Sequence, residues 1–229
     1  MALVPAAGRG LRLGADVPKA FARLRGRSLL SHAVGGLLGS GCVDRVVVAV
    51  GADDGALAEA ALGDVTSQDA SPQLVRQRVR LVIGGSERID SVRAALDVVG
   101  GAEVILVHDA ARCLVPLSVI RSVVEAVRAG HHAVIPVLPV ADTVKQVDDS
   151  GVVIATVDRT ALRVVQTPQA FEAGLLRRAY ADAGGLATDD AGLVERLGQT
   201  VTTVPGHPHA FKITTAFDLT VAEALAGDR

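Results

Sequence analysis

The sequence predicts an α/β protein built on a Rossmann-like, mostly parallel sheet with helices on both faces and a β-arm projecting from it. Three observations carry that expectation. Short Val-rich runs alternate with segments of helical period, the rhythm of a doubly wound sheet. Hydrophobic residues make up 49% of the 229 residues but aromatic ones only 2%, so the core must be aliphatic, which suits parallel strands buried on both faces. After Val137 the rhythm changes, and two short strands joined by a tight polar turn follow.

Ala2–Pro5 is an apolar run closed by a proline and a glycine loop, and reads as the first strand. Leu29–Leu38 has helical period. Arg45–Val50 is rich in valine and reads as a strand, followed by a helix over Asp54–Leu62 with Asp53 as its N-cap. Residues 66–77 are polar and unpatterned, which predicts a surface loop. Arg80–Ile83 and Glu103–His108 are strands that bracket a helix over Arg88–Val99. In the helix predicted over Ser118–Ala129, capped by Ser118, Val119, Ile120, Val123, Val124 and Val127 share one face. Ala133–Val137 ends the regular series.

The arm is expected over residues 139–160, as strands Asp142–Val147 and Val152–Val157 joined by Asp148-Asp149-Ser150-Gly151. Leu162–Gln166 returns to the sheet. Helices near Ala173–Ala183 and Asp190–Leu197, a strand over Val201–Val204 and a helix over Ala216–Ala226 complete a single domain spanning 1–229.

A formal charge of −2 gives no global basic field, which argues against nucleic acid as the main partner. No apolar run approaches the roughly 20 residues needed to cross a bilayer. The start is too short and too quickly polar for a signal peptide. Cys42 and Cys113 have neither disulfide-framework nor metal-site spacing. A cytoplasmic enzyme is the expectation. Only three lysines, Lys19, Lys145 and Lys212, stand against twenty arginines. An ammonium offers a compact charge that a guanidinium does not imitate at a tight phosphate site, although three surface lysines are also what chance would leave.

Ligands of open α/β sheets bind beyond the carboxyl ends of the strands, and each motif here lies just after a predicted strand. Ala6-Ala7-Gly8-Arg9-Gly10-Leu11-Arg12, followed by Pro18-Lys19, offers backbone N–H groups at close approach and two cations for a triphosphate. It is not a P-loop, and Leu13 breaks the dinucleotide glycine fingerprint. An ordinary glycine turn with solvated arginines is the alternative. Gly84-Gly85-Ser86-Glu87-Arg88-Ile89-Asp90-Ser91 could admit a planar base whose edge Ser91 reads, or be a capped strand-to-helix turn. In Val107-His108-Asp109-Ala110-Ala111-Arg112, Asp109 could meet a ribose hydroxyl or a phosphate-bound magnesium. His108 is expected to be a satisfied core histidine, and Arg112 either a phosphate ligand or an ion-pair partner. Asp142-Thr143, Asp158-Arg159, Thr188-Asp189-Asp190 and Lys212 are scattered candidates; Thr188 also fits a helix cap, and Arg159 and Lys212 also fit exposed charges.

Read in order, these pieces resemble the 2-C-methyl-D-erythritol 4-phosphate cytidylyltransferase family, together with Asp142-Thr143-Val144-Lys145, Thr156-Val157-Asp158-Arg159, Gln166-Thr167-Pro168-Gln169, Thr188-Asp189-Asp190-Ala191 and Lys212-Ile213-Thr214. The resemblance implies a nucleotidyltransferase-type fold in which Ala6, Ala7, Gly8, Gly85, Ser91, Asp109 and Ala110 hold CTP. Arg12 and Lys19 would stabilise charge at the triphosphate. Thr143, Arg159, Thr188, Lys212 and Arg112 would position methylerythritol phosphate, with Mg²⁺ carried mainly on the CTP phosphates. It further implies a homodimer whose exchanged arms bring Thr143 and Arg159 to the neighbour's site. Cys113, Ser86 and the His209-Ala210-Phe211 run depart from the commoner residues at their positions. The readings weighed against this one are a ribitol-5-phosphate cytidylyltransferase, a sugar-1-phosphate enzyme using another base, and a non-catalytic nucleotide-binding module.

Overall fold

The computed structural model describes residues 1–8, 17–65, 72–183 and 189–227. The first part of the chain forms β1 (Ala2–Pro5), β2 (Arg23–Leu24), β3 (Arg27–Ser28), α1 (Leu29–Gly39), β4 (Val46–Val50), α2 (Gly55–Gly63), α3 (Pro72–Arg78), β5 (Val79–Ile83), α4 (Arg88–Asp97), β6 (Val104–Val107) and α5 (Leu117–Arg128). There follow β7 (Ala133–Pro139), β8 (Val144–Val147), β9 (Val153–Val157), β10 (Arg163–Val165), β11 (Gln169–Glu172), α6 (Ala173–Ala181), α7 (Asp190–Arg196), β12 (Thr202–Pro205) and α8 (Ala216–Ala226).

β5, β4, β1 and β6 run parallel, side by side in that order. β11 is antiparallel to both β6 and β7, so β7 points the same way as β6, and β12 runs parallel to β7. Val134 pairs with Ala170 on one edge and Thr202 on the other, while Val137 pairs with Val165 and Pro205. β10 and β11 therefore share one edge of β7 as a single interrupted antiparallel strand. β8 and β9 pair with each other and make the two-stranded arm.

Alternation along the strands divides the core into two faces. Val4, Val46, Val48 and Leu106 pack with α1 and α5, whose predicted stripe of Val119, Ile120, Val123, Val124 and Val127 is buried against them. Leu3, Val47, Ile105, Val107 and Phe171 face the opposite way, onto α4, α6 and α7. A smaller cluster joins α8 to the β2–β3 hairpin through Leu24, Ile213 and Ala222. Among the described residues no helix is long and apolar enough to cross a membrane.

The expected strands and most helices fall within one or two residues of their observed bounds. Three expectations need correction, and two elements were not foreseen. The segment predicted as a loop over 66–77 runs into α3, where Val75 is the one fully buried side chain among the described residues; one such position leaves no period to read. The residue at the N-cap of α2 is Asp54 rather than Asp53, and its side chain makes no capping bond. α5 starts one residue earlier than expected, with Pro116 rather than Ser118 at its cap position. β11 has no counterpart among the expected strands, since four residues between Pro168 and a helix are too few to alternate visibly. The β2–β3 hairpin has none either: Arg25 (φ 50°) and Gly26 (φ 78°) make its turn, and Arg25 is held by the Glu223 carbonyl and carboxylate.

Phe171 tests the unforeseen strand. It is fully buried where β11 joins β6 to β7. Phe171→Ala is expected to cost about 3–5 kcal/mol in chemical denaturation. A loss below about 1 kcal/mol would mean that β11 is not a packed central strand.

Candidate active site

The chain leaves β1 for β4 and β5 on one side and returns to β6 on the other. The carboxyl ends of β1 and β6 thus form a topological switch point, where open sheets leave a crevice. A cavity of about 190 Å³ lies there. Its walls include Ala6, Ala7, Gly8, Lys19, Gly85, Ser91, Asp109, Ala110 and Lys212. Residues that the sequence singled out in four separate motifs therefore surround one space. Arg12 and Thr188 lie outside the described residues.

Local structure explains the glycines. A Cβ on Gly84 would sit 2.7 Å from Ser91 Oγ and 2.9 Å from Ala7 Cβ, and one on Gly85 would collide with Asp90 Cβ. Only glycine lets this turn lie against the β1 loop. Ser91 is buried, and its hydroxyl donates to the Glu87 carbonyl at 3.2 Å and the Gly85 carbonyl at 3.4 Å. These bonds tie the turn to α4, and Ser91 also lines the cavity. Lys19 opens a 3₁₀ turn anchored by buried Ala20 and Phe21, so its backbone is fixed at the cavity wall.

Charge gathers on Asp109, which is 9% exposed. Its Oδ1 lies 3.2 Å from Arg88 Nε and its Oδ2 2.7 Å from Lys212 Nζ. Burial opposes ionisation, but the Arg88 and Lys212 cations outweigh it and hold the carboxyl well below the usual range. Arg88 also forks onto Asp190, with bonds of 3.0 and 2.7 Å to a fully buried carboxylate. Burial opposes the Arg88 charge too, yet Asp190 and Asp109 raise its pKa above the ordinary arginine value. Asp190 accepts a further bond from the Tyr180 hydroxyl, whose pKa is pushed up, first by burial and then by Asp190 itself.

A second cavity of about 400 Å³ adjoins the first, and Arg88, Asp109 and Lys212 line both. Its remaining walls bring in Arg112, Thr167, Gln169 and Asp189. Arg112 gives both terminal nitrogens to backbone carbonyls, Ala210 at 2.8 Å and Val165 at 3.2 Å, so it braces the segment leading to Lys212. Buried Gln169 donates to Asp189 at 2.8 Å and accepts from the Ala191 N–H at 3.0 Å, which pins the start of α7. At that start Asp189 caps α7 through the Gly192 N–H.

His108 is fully buried, as the sequence suggested. Thr167 Oγ1 accepts from the Asp109 N–H at 3.1 Å and lies 3.0 Å from His108 Nδ1. The other ring nitrogen, Nε2, is buried with no partner among the described residues. Thr143 and Arg159, by contrast, are exposed on or beside the arm, where Arg159 donates to the Ala141 carbonyl. Neither lines either cavity.

Sequence reasoning assigned no separate role to Arg88, Asp190, Tyr180, Thr167 or Gln169. Their signal is weak: all but Tyr180 sit inside recognised motifs, but each alone reads as a cap or turn residue.

Burial lowers the His108 pKa to about 4, Asp109 opposing and Arg112 assisting. The folded protein keeps His108 neutral where the unfolded chain takes up a proton near its usual 6.5. Its contribution is therefore fully present above pH 6.5 and is lost as the pH falls towards 4, a change on the order of 3 kcal/mol. His108→Asn, which keeps a partner for Thr167, is expected to flatten the stability curve in that window. Denaturation curves with equal pH slopes in both proteins would contradict the assignment.

The family model described as 2-C-methyl-D-erythritol 4-phosphate cytidylyltransferase matches residues 1–228. A protein of that name from Saccharopolyspora erythraea is 60% identical over 98% of each chain, and one from Nocardia farcinica is 55% identical over 100% of this chain and 94% of its own. Among solved structures, the 2-C-methyl-D-erythritol 4-phosphate cytidylyltransferase of Thermus thermophilus superposes with a TM-score of 0.77 at 35% identity, covering 99% of this chain and 98% of its own. The 4-diphosphocytidyl-2C-methyl-D-erythritol synthase of Anaerococcus prevotii superposes with a TM-score of 0.82 at 27% identity, covering 99% and 97%. With the match running through both faces of the sheet and every motif around the crevice, the chain belongs to the 2-C-methyl-D-erythritol 4-phosphate cytidylyltransferase family.

Proposed function

We propose that this protein transfers the cytidylyl group of CTP to 2-C-methyl-D-erythritol 4-phosphate, giving 4-diphosphocytidyl-2-C-methyl-D-erythritol and pyrophosphate. The observation that carries this reading is the pair of adjoining cavities that share Arg88, Asp109 and Lys212 as a common wall. One is bounded by a glycine loop fit for phosphates and the other by polar side chains fit for a hydroxylated acceptor. The names of the relatives support the identity of both substrates.

In the first cavity the backbone of Ala6, Ala7 and Gly8 meets the triphosphate. The turn at Gly85, fixed by Ser91, takes the base, and Asp109 with Ala110 takes the ribose. Lys19 and Arg12 carry positive charge to the phosphates. In the second, Lys212 and Thr188 hold the acceptor, Arg112 adds its charge, and Thr143 and Arg159 arrive from the arm of a second subunit.

Among the described residues no group of three or more His, Cys, Asp or Glu side chains could hold a metal. A magnesium ion would be carried mainly by the phosphates, with Asp109 as the candidate protein carboxylate, and would neutralise phosphate charge there.

The acceptor phosphate is ionised at neutral pH and needs no general base. Its oxygen forms a bond to the α-phosphorus in line with the departing bridge oxygen. That Pα–O bond breaks and its electron pair leaves with pyrophosphate. Two anions must be brought together and charge accumulates at phosphorus, so catalysis rests on placement and on Lys19, Arg12, Arg159 and Lys212.

The whole chain acts as one nucleotidyltransferase domain, cytoplasmic and homodimeric, with residues 139–160 as the dimerisation arm. An isolated two-stranded ribbon is marginal in water. This one bares Val147, Val152, Val153 and Ile154, each at least half exposed, which supports a neighbouring chain as its cover.

Pyrophosphate release from CTP and Mg²⁺ is expected with methylerythritol phosphate and not with ribitol 5-phosphate; the reverse would overturn the acceptor assignment. Lys19→Ala is expected to lower kcat by about 10²–10³-fold, by analogy with loss of one oxyanion donor. If the arms are shared, mixing the Arg159→Ala and Lys212→Ala proteins, each lowered about 10²–10³-fold but still measurable, raises activity well above either alone, because a hybrid dimer has one intact site. Mixtures that stay at the level of the separate variants despite measured subunit exchange would remove the shared arm.

A further inference from the structure

Arg88 has no part in the transfer as described, yet it is heavily constrained. It opens α4 and passes between the two cavities, lining both. Nε, Nη1 and Nη2 each meet a carboxylate oxygen. Two of those oxygens belong to Asp190, which is fully buried and also bound by Tyr180. Asp190 in turn sits between Asp189 and Ala191, both tied to buried Gln169 on β11. The anchor is therefore held from two directions, through the helix layer and through the sheet.

Asp109 needs such an anchor. Thr167 holds its backbone N–H but leaves the side chain to be fixed by other groups. Arg88 takes Oδ1 and leaves Oδ2 to Lys212, whose ammonium stands 2.7 Å away at the end of a long flexible stem.

We propose that Arg88 is a positioning residue: clamped by Asp190 and Tyr180, it fixes the Asp109 carboxylate so that Lys212 is aimed at the acceptor phosphate. The inference rests on the transfer reaction proposed above. It explains why a planar, forked cation stands at residue 88. Lysine would keep the charge, but it could not fork onto Asp190 and reach Asp109 at once.

The test is a kinetic double-mutant cycle on kcat/KM for the acceptor, in wild type, Arg88→Lys, Lys212→Ala and the double variant. If Arg88 acts through Lys212, Arg88→Lys is expected to cost about 10–100-fold alone and less than about threefold once Lys212 is gone. A merely structural role would lower both backgrounds by the same factor, and that result would overturn the proposal. Tyr180→Phe runs in parallel, since it keeps the ring and removes a single hydroxyl. It is expected to show a smaller loss, about 2–10-fold, that likewise vanishes in the Lys212→Ala background. A wild type that transfers nothing would remove the transfer reading and this proposal with it; equal losses in both backgrounds would remove only the proposed strut.

Discussion

A carboxylate taken out of water costs several kcal/mol unless positive charge meets it, and Asp109 imposes that constraint on distant parts of the chain. Lys212 reaches it from the segment before α8, and Arg88 from the turn after β5. Arg88 brings a buried charge of its own, which Asp190 matches from α7. Two cations and two anions thus close a compact network with no net charge. The network fixes the wall between the cavities, and the Arg88 charge is used inside it. Charge for an anionic ligand of the first cavity has to come from outside the Arg88–Asp190 pair, and Lys19 stands at that cavity's wall.

The parallel strands were legible because each is a Val-rich run of the length a buried strand needs, bounded by glycine, proline or polar residues. α5 was legible because five apolar residues recur on one face. β11 and α3 were not, for the same reason in opposite forms. One is a four-residue strand whose place is set by partners on both sides, and the other a helix with one fully buried side chain, Val75, among the described residues, tied down as well by Arg78 to the carbonyls of Val43 and Asp44. Neither carries enough local pattern to overcome its neighbours.

At the site, the glycine loop, the Gly84–Gly85 turn and Asp109 could be read because contiguous residues act together. The clamp behind them could not. Arg88 and Asp190 lie 102 positions apart, and each has an ordinary local reading at a helix start. Composition was a better guide than any such residue. Lys19 and Lys212 both line the first cavity, while Lys145 bonds Thr156 across the arm at 2.6 Å. Two of the three lysines therefore line the crevice, while the third is exposed on the arm.

The aliphatic core has a consequence for how the molecule can be observed. The chain contains no tryptophan and a single tyrosine, and that tyrosine is the one seated against Asp190. Beyond the weak phenylalanine bands, its near-ultraviolet dichroism and emission arise from one dry, carboxylate-bound phenol rather than from an average over many rings. Optical signals that in most proteins report the whole fold would here report a single joint, directly behind the wall that the two cavities share.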